Sequence, residues 1–178
     1  QGTLPHDEAY PLFDTLNAFR EWIEENRDSF FLLELIRVGI GGLVGAFEGL
    51  LAGLGWPGVI ALSGGLGLIF GGWRLALLGA LGFAAIGALG LWESGMATLA
   101  QMLAAVLISL LIGIPFGIIA GRSRRFAAAI APFLDAMQIM PTLAYLGPMT
   151  LLFGIGVAPG TIATLIYAIP PAIRITAL

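Results

Sequence analysis

Long uncharged apolar runs fill most of this 178-residue chain and constrain its fold more than any other feature. Nine of the eleven acidic residues precede Trp56, and only Glu93 and Asp135 follow it. Charged residues make up 11% of the chain, whereas a soluble domain carries about 25%. Apolar runs of this number and length exceed what a soluble core needs and are typical of membrane-spanning helices. The sequence therefore predicts an all-α membrane protein.

Five apolar segments predict about five transmembrane helices. In order they cover residues 59–73, 75–92, 96–120, 139–155 and 160–173. A turn over Gly156-Val157-Ala158-Pro159 is predicted to join the last two, and residues 126–136 are predicted to form a short connecting helix. Glycine is abundant, with 26 residues, and small residues allow membrane helices to approach one another closely.

Arginines orient these spans through the positive-inside rule. The cluster of Arg122, Arg124 and Arg125 places the loop after the third span in the cytoplasm. Counting back and forward from that loop puts Arg74 and Arg174 on the same side. Glu93 and the N-terminus then fall on the extracytoplasmic side.

An acidic, amphipathic region precedes the spans. Apolar residues at helical spacing between Phe13 and Ile23 predict a surface or interfacial helix, with Asp14 as its N-cap. Residues 30–54 carry an apolar stripe but also three charges, each of which costs ~3 kcal/mol near the bilayer centre. We favour an interfacial helix here. The alternative is a sixth span, which would place the N-terminus in the cytoplasm.

No pattern of catalytic or metal-binding residues is visible. His6 is the single histidine, and the absence of cysteine excludes thiol chemistry and disulfides. No GxxxxGK[ST] phosphate-binding loop occurs, and no carboxylate pair falls inside a span. The arginine cluster is better explained by topology than by nucleic-acid binding. We expect a chain that is no enzyme and binds no metal or cofactor itself.

Prolines, aromatic rings and one amide in the last two spans are the candidate functional residues. Prolines are tolerated in membrane helices where neighbouring groups satisfy the freed backbone, and they can serve as hinges. Aromatic faces attract quaternary ammonium ions, although ordinary packing is the alternative for each ring. The candidates for a translocation path or hinge are Gln138, Pro141, Tyr145, Pro148, Phe153, Tyr167, Pro170 and Pro171. For Asp135 we expect a helix-end role or a salt bridge with Arg122 or Arg125.

Three motifs carry a resemblance to a known family. They are Asp135-x-x-Gln138-x-x-Pro141, Leu152-Phe153-Gly154-Ile155-Gly156 and Pro170-Pro171-x-x-Arg174. The chain resembles the permease subunit of ABC importers for glycine betaine, proline, choline and related osmoprotectants, most continuously from about Leu91 to Leu178. The resemblance implies a type I ABC importer core over residues 94–178, two accessory helices over 56–93 and an extracytoplasmic amphipathic region over 1–55.

The resemblance also implies the partners and the mechanism. Two ATP-binding subunits would carry ATP and magnesium, a binding protein or fused domain would deliver the solute, and two permeases would pair in a bacterial or archaeal cytoplasmic membrane. The coupling loop of that family would follow Leu178, so we expect a C-terminally truncated core. A permease for another solute, such as an amino acid, and a non-transporting scaffold are the alternatives.

Overall fold

The computed structural model describes residues 18, 21–23 and 30–178, and all regular structure in these residues is helical. The described helices are α1 (Phe31–Ala88), α2 (Trp92–Arg122), α3 (Arg124–Ile139), α4 (Thr142–Phe153) and α5 (Val157–Thr176). The predicted all-α membrane fold is confirmed. The amphipathic helix predicted between Phe13 and Ile23 lies largely outside the described residues.

Two of the described helices, α1 and α2, are long and apolar enough to cross a membrane, and the bent pair α3–α4 could supply a third crossing. A straight helix of 58 residues such as α1 would be about 87 Å long, roughly three times the hydrocarbon core of a bilayer. It is not straight, because Gly55 (φ 62°) and Gly72 (φ 74°) interrupt its helical backbone. These breaks divide α1 into residues 31–54, 56–71 and 73–88.

Residues 56–71 and 73–88 form a helical hairpin that turns at Gly72. A Cβ atom added to Gly67 would lie 2.6 Å from Ala76 Cα, and one added to Gly79 would lie 3.2 Å from the Ser63 carbonyl oxygen. Only glycine permits this approach of the two backbones. The hairpin matches the first two predicted spans, with Arg74 at the turn.

Residues 31–54 pack against the bundle. Ile40, Val44 and Leu51 are buried in one apolar cluster with Ala100 and Ala104 of α2. The exposed Glu34 and Arg37 side chains form an ion pair at 2.7 Å. Further along the stripe, Phe47 is half-buried, whereas Leu50 and Leu54 are exposed.

Helices α2 and α5 make the closest helix contact in the described part of the chain. Gly113, Gly117 and Gly121 recur every four residues on α2, and all three face α5. A Cβ atom at Gly113 would lie 2.5 Å from Ala172 Cβ, and one at Gly117 would lie 2.8 Å from the Ile173 carbonyl oxygen. We call this contact the glycine seam. It fixes α5 against α2 by steric fit.

The chain bends by 98° between α3 and α4, so the predicted fourth span over residues 139–155 is broken near its start. Pro141 causes the bend, because a residue before proline avoids the helical region. Met140 is accordingly extended, with φ −81° and ψ 138°. Helix α4 alone is about 18 Å long at 1.5 Å per residue, well short of the bilayer core.

The turn before α5 also differs from the expected Gly156–Pro159. Gly154 (φ 77°) and Gly156 (φ 155°) take backbone conformations that favour glycine, and the helix begins at Val157. Pro159 belongs to the first helical turn, where its missing N–H leaves no hydrogen bond unmade. The turn therefore begins before the predicted Gly156 and ends before Val157.

Candidate functional site

One face of α5 is polar and uncovered along most of the helix. Its residues follow a spacing of four, three, four and three, which keeps them on one side of a helix. Tyr167 is 50% exposed, Thr164 and Arg174 are exposed, and the remaining two are half-buried. We call this set the polar face of α5: Gly160, Thr164, Tyr167, Pro171 and Arg174.

The backbone adds polar groups to this face. Thr164 Oγ1 donates to the Gly160 carbonyl oxygen at 2.9 Å. Pro171 has no N–H, so the carbonyl of Tyr167, four residues earlier, lacks its helical donor. Pro170 likewise frees the carbonyl of Ile166. Helix α5 nevertheless continues through both prolines without a break.

Gln101 of α2 covers the N-terminal end of the polar face. Its Nε2 donates to the Val157 carbonyl oxygen at 3.2 Å, and the same oxygen accepts from Thr161 Oγ1 at 2.9 Å. A Cβ atom at Gly160 would lie 2.9 Å from Gln101 Nε2, so the glycine makes room for the amide. Sequence reasoning noted Gln101 only as a polar position in a span. The sequence signal for this residue is that Gln101 is a polar side chain within the apolar segment 96–120.

An ion pair closes the other end of the polar face. Arg174 Nη2 donates to Asp135 Oδ1, which ties the C-terminal end of α5 to α3. A salt bridge of Asp135 with an arginine was expected, with Arg122 or Arg125 as examples, and the arginine that pairs with it is Arg174. Both side chains of the pair are about half exposed, at 47% and 58%, so water screens their attraction.

Tyr145 holds the bend between α3 and α4. Its hydroxyl group lies 3.2 Å from the Ala136 carbonyl oxygen and 3.3 Å from that of Met137, within donating distance of both. These carbonyls belong to the last turn of α3, where carbonyl groups have no N–H partner within the helix. Tyr145 is therefore part of the bend itself. We call the bend, the Tyr145 contact and the Asp135–Arg174 pair the elbow.

The other predicted candidates are spread over different environments. Phe153 is 8% exposed and lies in the apolar core with Ile40 and Ala158. Gln138 is half-buried and makes no hydrogen bond with other described residues, while Pro148 is exposed on α4. Their roles stay predictions, as do those of Pro141, Pro170 and Pro171.

The arginines predicted to set topology lie at helix ends. Arg122 ends α2, and Arg124 and Arg125 begin α3, whose N-cap Ser123 accepts from the Phe126 N–H at 3.3 Å. Arg74 lies over the Trp73 ring, 5.5 Å from its centroid, beside the hairpin turn. Within the described residues, no group of three or more potential metal ligands comes together.

The side of α5 opposite the polar face is apolar. Ile162, Ile166 and Ile169 border a groove of about 560 Å³, which Ile36 and Leu43 of α1 line from the other side. These isoleucines are about half a helical turn away from the polar face. The helix thus separates a polar surface from an apolar one.

Comparison with known proteins agrees with this architecture. The chain is 38% identical over 173 residues to the glycine betaine/proline betaine transport system permease protein ProW of Escherichia coli, and this match covers 94% of the chain. It is 37% identical over 176 residues to the glycine betaine transport system permease protein OpuAB of Bacillus subtilis. It is also 30% identical over 184 residues to the trimethylamine N-oxide transport system permease protein TmoV of Ruegeria pomeroyi.

These similarities confirm the resemblance to osmoprotectant ABC permeases over nearly the whole chain. The chain spans about half the length of these relatives, with 49% of ProW and 59% of OpuAB covered, and 28% of the longer TmoV. No protein-family model matches the chain. The long apolar helices and these similarities together indicate an integral membrane protein.

Proposed function

We propose that this chain forms part of the translocation pathway of an ATP-driven importer for glycine betaine or a related compatible solute. The observation that carries the proposal is the similarity to glycine betaine permeases over 94% of the chain. The described structure adds long apolar helices, proline-containing segments and a polar face on α5. The sequence contains no GxxxxGK[ST] phosphate-binding loop, so ATP hydrolysis is assigned to a separate subunit.

The solute class follows from what the relatives' names have in common. Glycine betaine, proline betaine, carnitine and trimethylamine N-oxide all carry a fully substituted nitrogen. Such a nitrogen has no N–H to donate and is recognised by aromatic faces. Choline, named for two further relatives, also carries a fully substituted nitrogen. Another small solute such as an amino acid is the second choice, and a non-transporting scaffold is the third.

The partners proposed for this chain are those an importer of this kind requires. They are an ATP-binding subunit that carries ATP and magnesium, a substrate-binding protein or domain, and a second permease. The arginines at 74, 122, 124, 125 and 174 are assigned to the cytoplasmic side of the membrane. Five spans would leave the N-terminus outside. The packing of residues 31–54 along α2 supports a sixth span and an N-terminus inside.

The elbow is proposed as the moving part of the pathway. Pro141 sets the bend, and Pro148, Pro170 and Pro171 remove helical hydrogen bonds on either side of it. The Tyr145 contact and the Asp135–Arg174 pair are polar and partly exposed, so they can break and reform at small cost. Leu134 of α3 also lies in an apolar cluster with Ala120 and Ile173. During alternating access the contacts of the elbow would break and reform, while α2 and α5 stay packed together at the glycine seam.

Uptake into proteoliposomes tests the proposal. The permease containing this chain is reconstituted with its ATP-binding subunit and binding protein, and accumulation of radiolabelled glycine betaine is followed with ATP or ADP. We expect accumulation only with ATP, and competition by carnitine or trimethylamine N-oxide rather than by glutamate. An assembled complex that hydrolyses ATP but accumulates none of these solutes would overturn the proposal.

A further inference from the structure

The polar face of α5 and the opposite side of the helix differ in chemistry. The polar face exposes a hydroxyl group, a phenol and a guanidinium group, whereas the half-buried Ile162, Ile166 and Ile169 offer only hydrocarbon. From Gly160 to Arg174 the polar face extends about 21 Å at 1.5 Å per residue, most of the thickness of a bilayer core. The difference therefore persists along most of the length of α5.

Lipid cannot satisfy the polar face. Hydrocarbon offers no partner for the Tyr167 hydroxyl group or for the Tyr167 carbonyl released by Pro171, and each unsatisfied group there costs several kcal/mol. Within the described residues, Tyr167 OH makes no hydrogen bond. The apolar side has no such requirement and can lie against lipid or α1. The polar face must therefore meet water or protein.

We infer that the polar face of α5 lines the solute pathway, with Tyr167 at its midpoint as the contact for the solute's fully substituted nitrogen. This inference rests on the proposed function and specifies which surface of the chain performs it. Tyr167 lies seven residues from both Gly160 and Arg174, about 10 Å from each end of the face. Its half-exposed ring can present a π-face to a cation that has lost its water.

The charge of the face suits a zwitterion. Arg174 would repel a cationic nitrogen, but Asp135 neutralises it at the edge of the face. Gln101, Thr164 and the Tyr167 carbonyl are neutral dipoles. The second N–H of the Gln101 amide can donate to a carboxylate, and the oxygens of Thr164 and of the Tyr167 carbonyl can accept from the water around it. A face without net charge presents no electrostatic barrier to a solute that carries one positive and one negative group.

Cysteine accessibility tests the assignment directly, because the chain contains no cysteine of its own. Thr164→Cys and Tyr167→Cys are compared with Ile162→Cys and Ile166→Cys in the assembled importer in proteoliposomes. A membrane-impermeant methanethiosulfonate reagent labels thiolates, which form in water and are suppressed in apolar surroundings. We expect labelling at 164 and 167 to be at least roughly tenfold faster than at 162 and 166, and to be slowed by glycine betaine.

The outcomes separate this inference from the proposed function. Equal labelling on both sides of α5, or faster labelling at 162 and 166, overturns the inference even if uptake is normal. The inference is also overturned if the cysteines at 164 and 167 are not labelled but cross-link to the same positions in a second permease. The polar face would then be a contact between two copies. Fast labelling of the cysteines at 164 and 167 in a permease that does not transport betaine supports the assignment of the polar face to the pathway. The same result overturns the proposed solute.

The KM for glycine betaine tests the role of Tyr167 separately. Tyr167→Phe keeps the aromatic face and should leave the KM for glycine betaine within about twofold, whereas Tyr167→Leu should raise it about threefold to fivefold, as expected for loss of a cation–π contact. A loss of kcat with unchanged KM in Tyr167→Leu would assign Tyr167 to packing and contradict a solute contact.

Discussion

The glycine seam and the elbow hold α5 in place by different physical means. In the seam, Gly113 and Gly117 on α2 leave no space for even one added methyl group against α5. In the elbow, a tyrosine hydroxyl group and a partly exposed ion pair connect α3 to α4 and α5, beside an apolar cluster that contains Leu134 and Ile173. A steric fit is lost all at once when it is disturbed, whereas polar contacts exchange with water. The difference indicates which part of the molecule is rigid and which can move.

The largest expected effect is in the seam. Gly117→Leu should destabilise the protein by about 1–3 kcal/mol or more, because its side chain would enter space held by Thr176 and the Ile173 carbonyl. The measurement is the thermal midpoint of the purified permease in detergent. Gly45→Leu is the matched control, since a Cβ atom at Gly45 meets nothing within 4 Å. Equal midpoints for the two variants would mean that the seam is not tightly packed.

A smaller effect is expected at the bend. Tyr145→Phe removes the hydroxyl group that reaches the Ala136 and Met137 carbonyl oxygens, and it should cost about 1 kcal/mol. Tyr167→Phe serves as the control for stability, because its hydroxyl group bonds none of the described residues. Hydrogen exchange of the amides around residue 140 should rise in Tyr145→Phe alone. Unchanged exchange there would show that the tyrosine does not hold the bend.

The smallest effect on stability is expected at the ion pair. Asp135→Asn and Arg174→Gln should each change the unfolding free energy by less than ~1 kcal/mol, since an exposed pair is worth little. Uptake should nevertheless fall in Asp135→Arg and in Arg174→Asp, and recover when the two are combined. Failure of the exchanged pair to restore uptake would mean that these residues act separately.

The sequence predicted the helical elements better than their contacts. Apolar runs and glycines were enough to place the hairpin beside Arg74 and the helices on both sides of Ser123. Pro141 was singled out from the sequence, but the size of the bend at Met140 depends on the backbone conformation. The turn before α5 was placed too late, because Pro159 lies in the first helical turn.

Contacts between distant residues could not be predicted. Asp135 and Arg174 are 39 positions apart, and only the packing of α3 against α5 brings them together. The polar face of α5 could in part have been found, because Thr164, Tyr167, Pro171 and Arg174 already follow helical spacing. Which side of α5 is covered, however, is decided by its neighbours. Phe153 and Tyr167 have similar sequence surroundings, but one is buried in the core and the other is exposed.

The most direct test of a moving elbow and a fixed glycine seam is to cross-link each of them in turn and measure uptake. Cysteines replacing Asp135 and Arg174 are joined by a reductively cleavable bifunctional reagent, and cysteines replacing Gly121 and Ala177 lock the end of the seam, where a Cβ at Gly121 lies 3.4 Å from Ala177 Cα. We predict that the lock at 135–174 stops ATP-dependent uptake of glycine betaine until reductant is added, and that the lock at 121–177 leaves uptake unchanged. Uptake that survives the elbow lock, or stops with the seam lock, would contradict a moving elbow on a fixed seam.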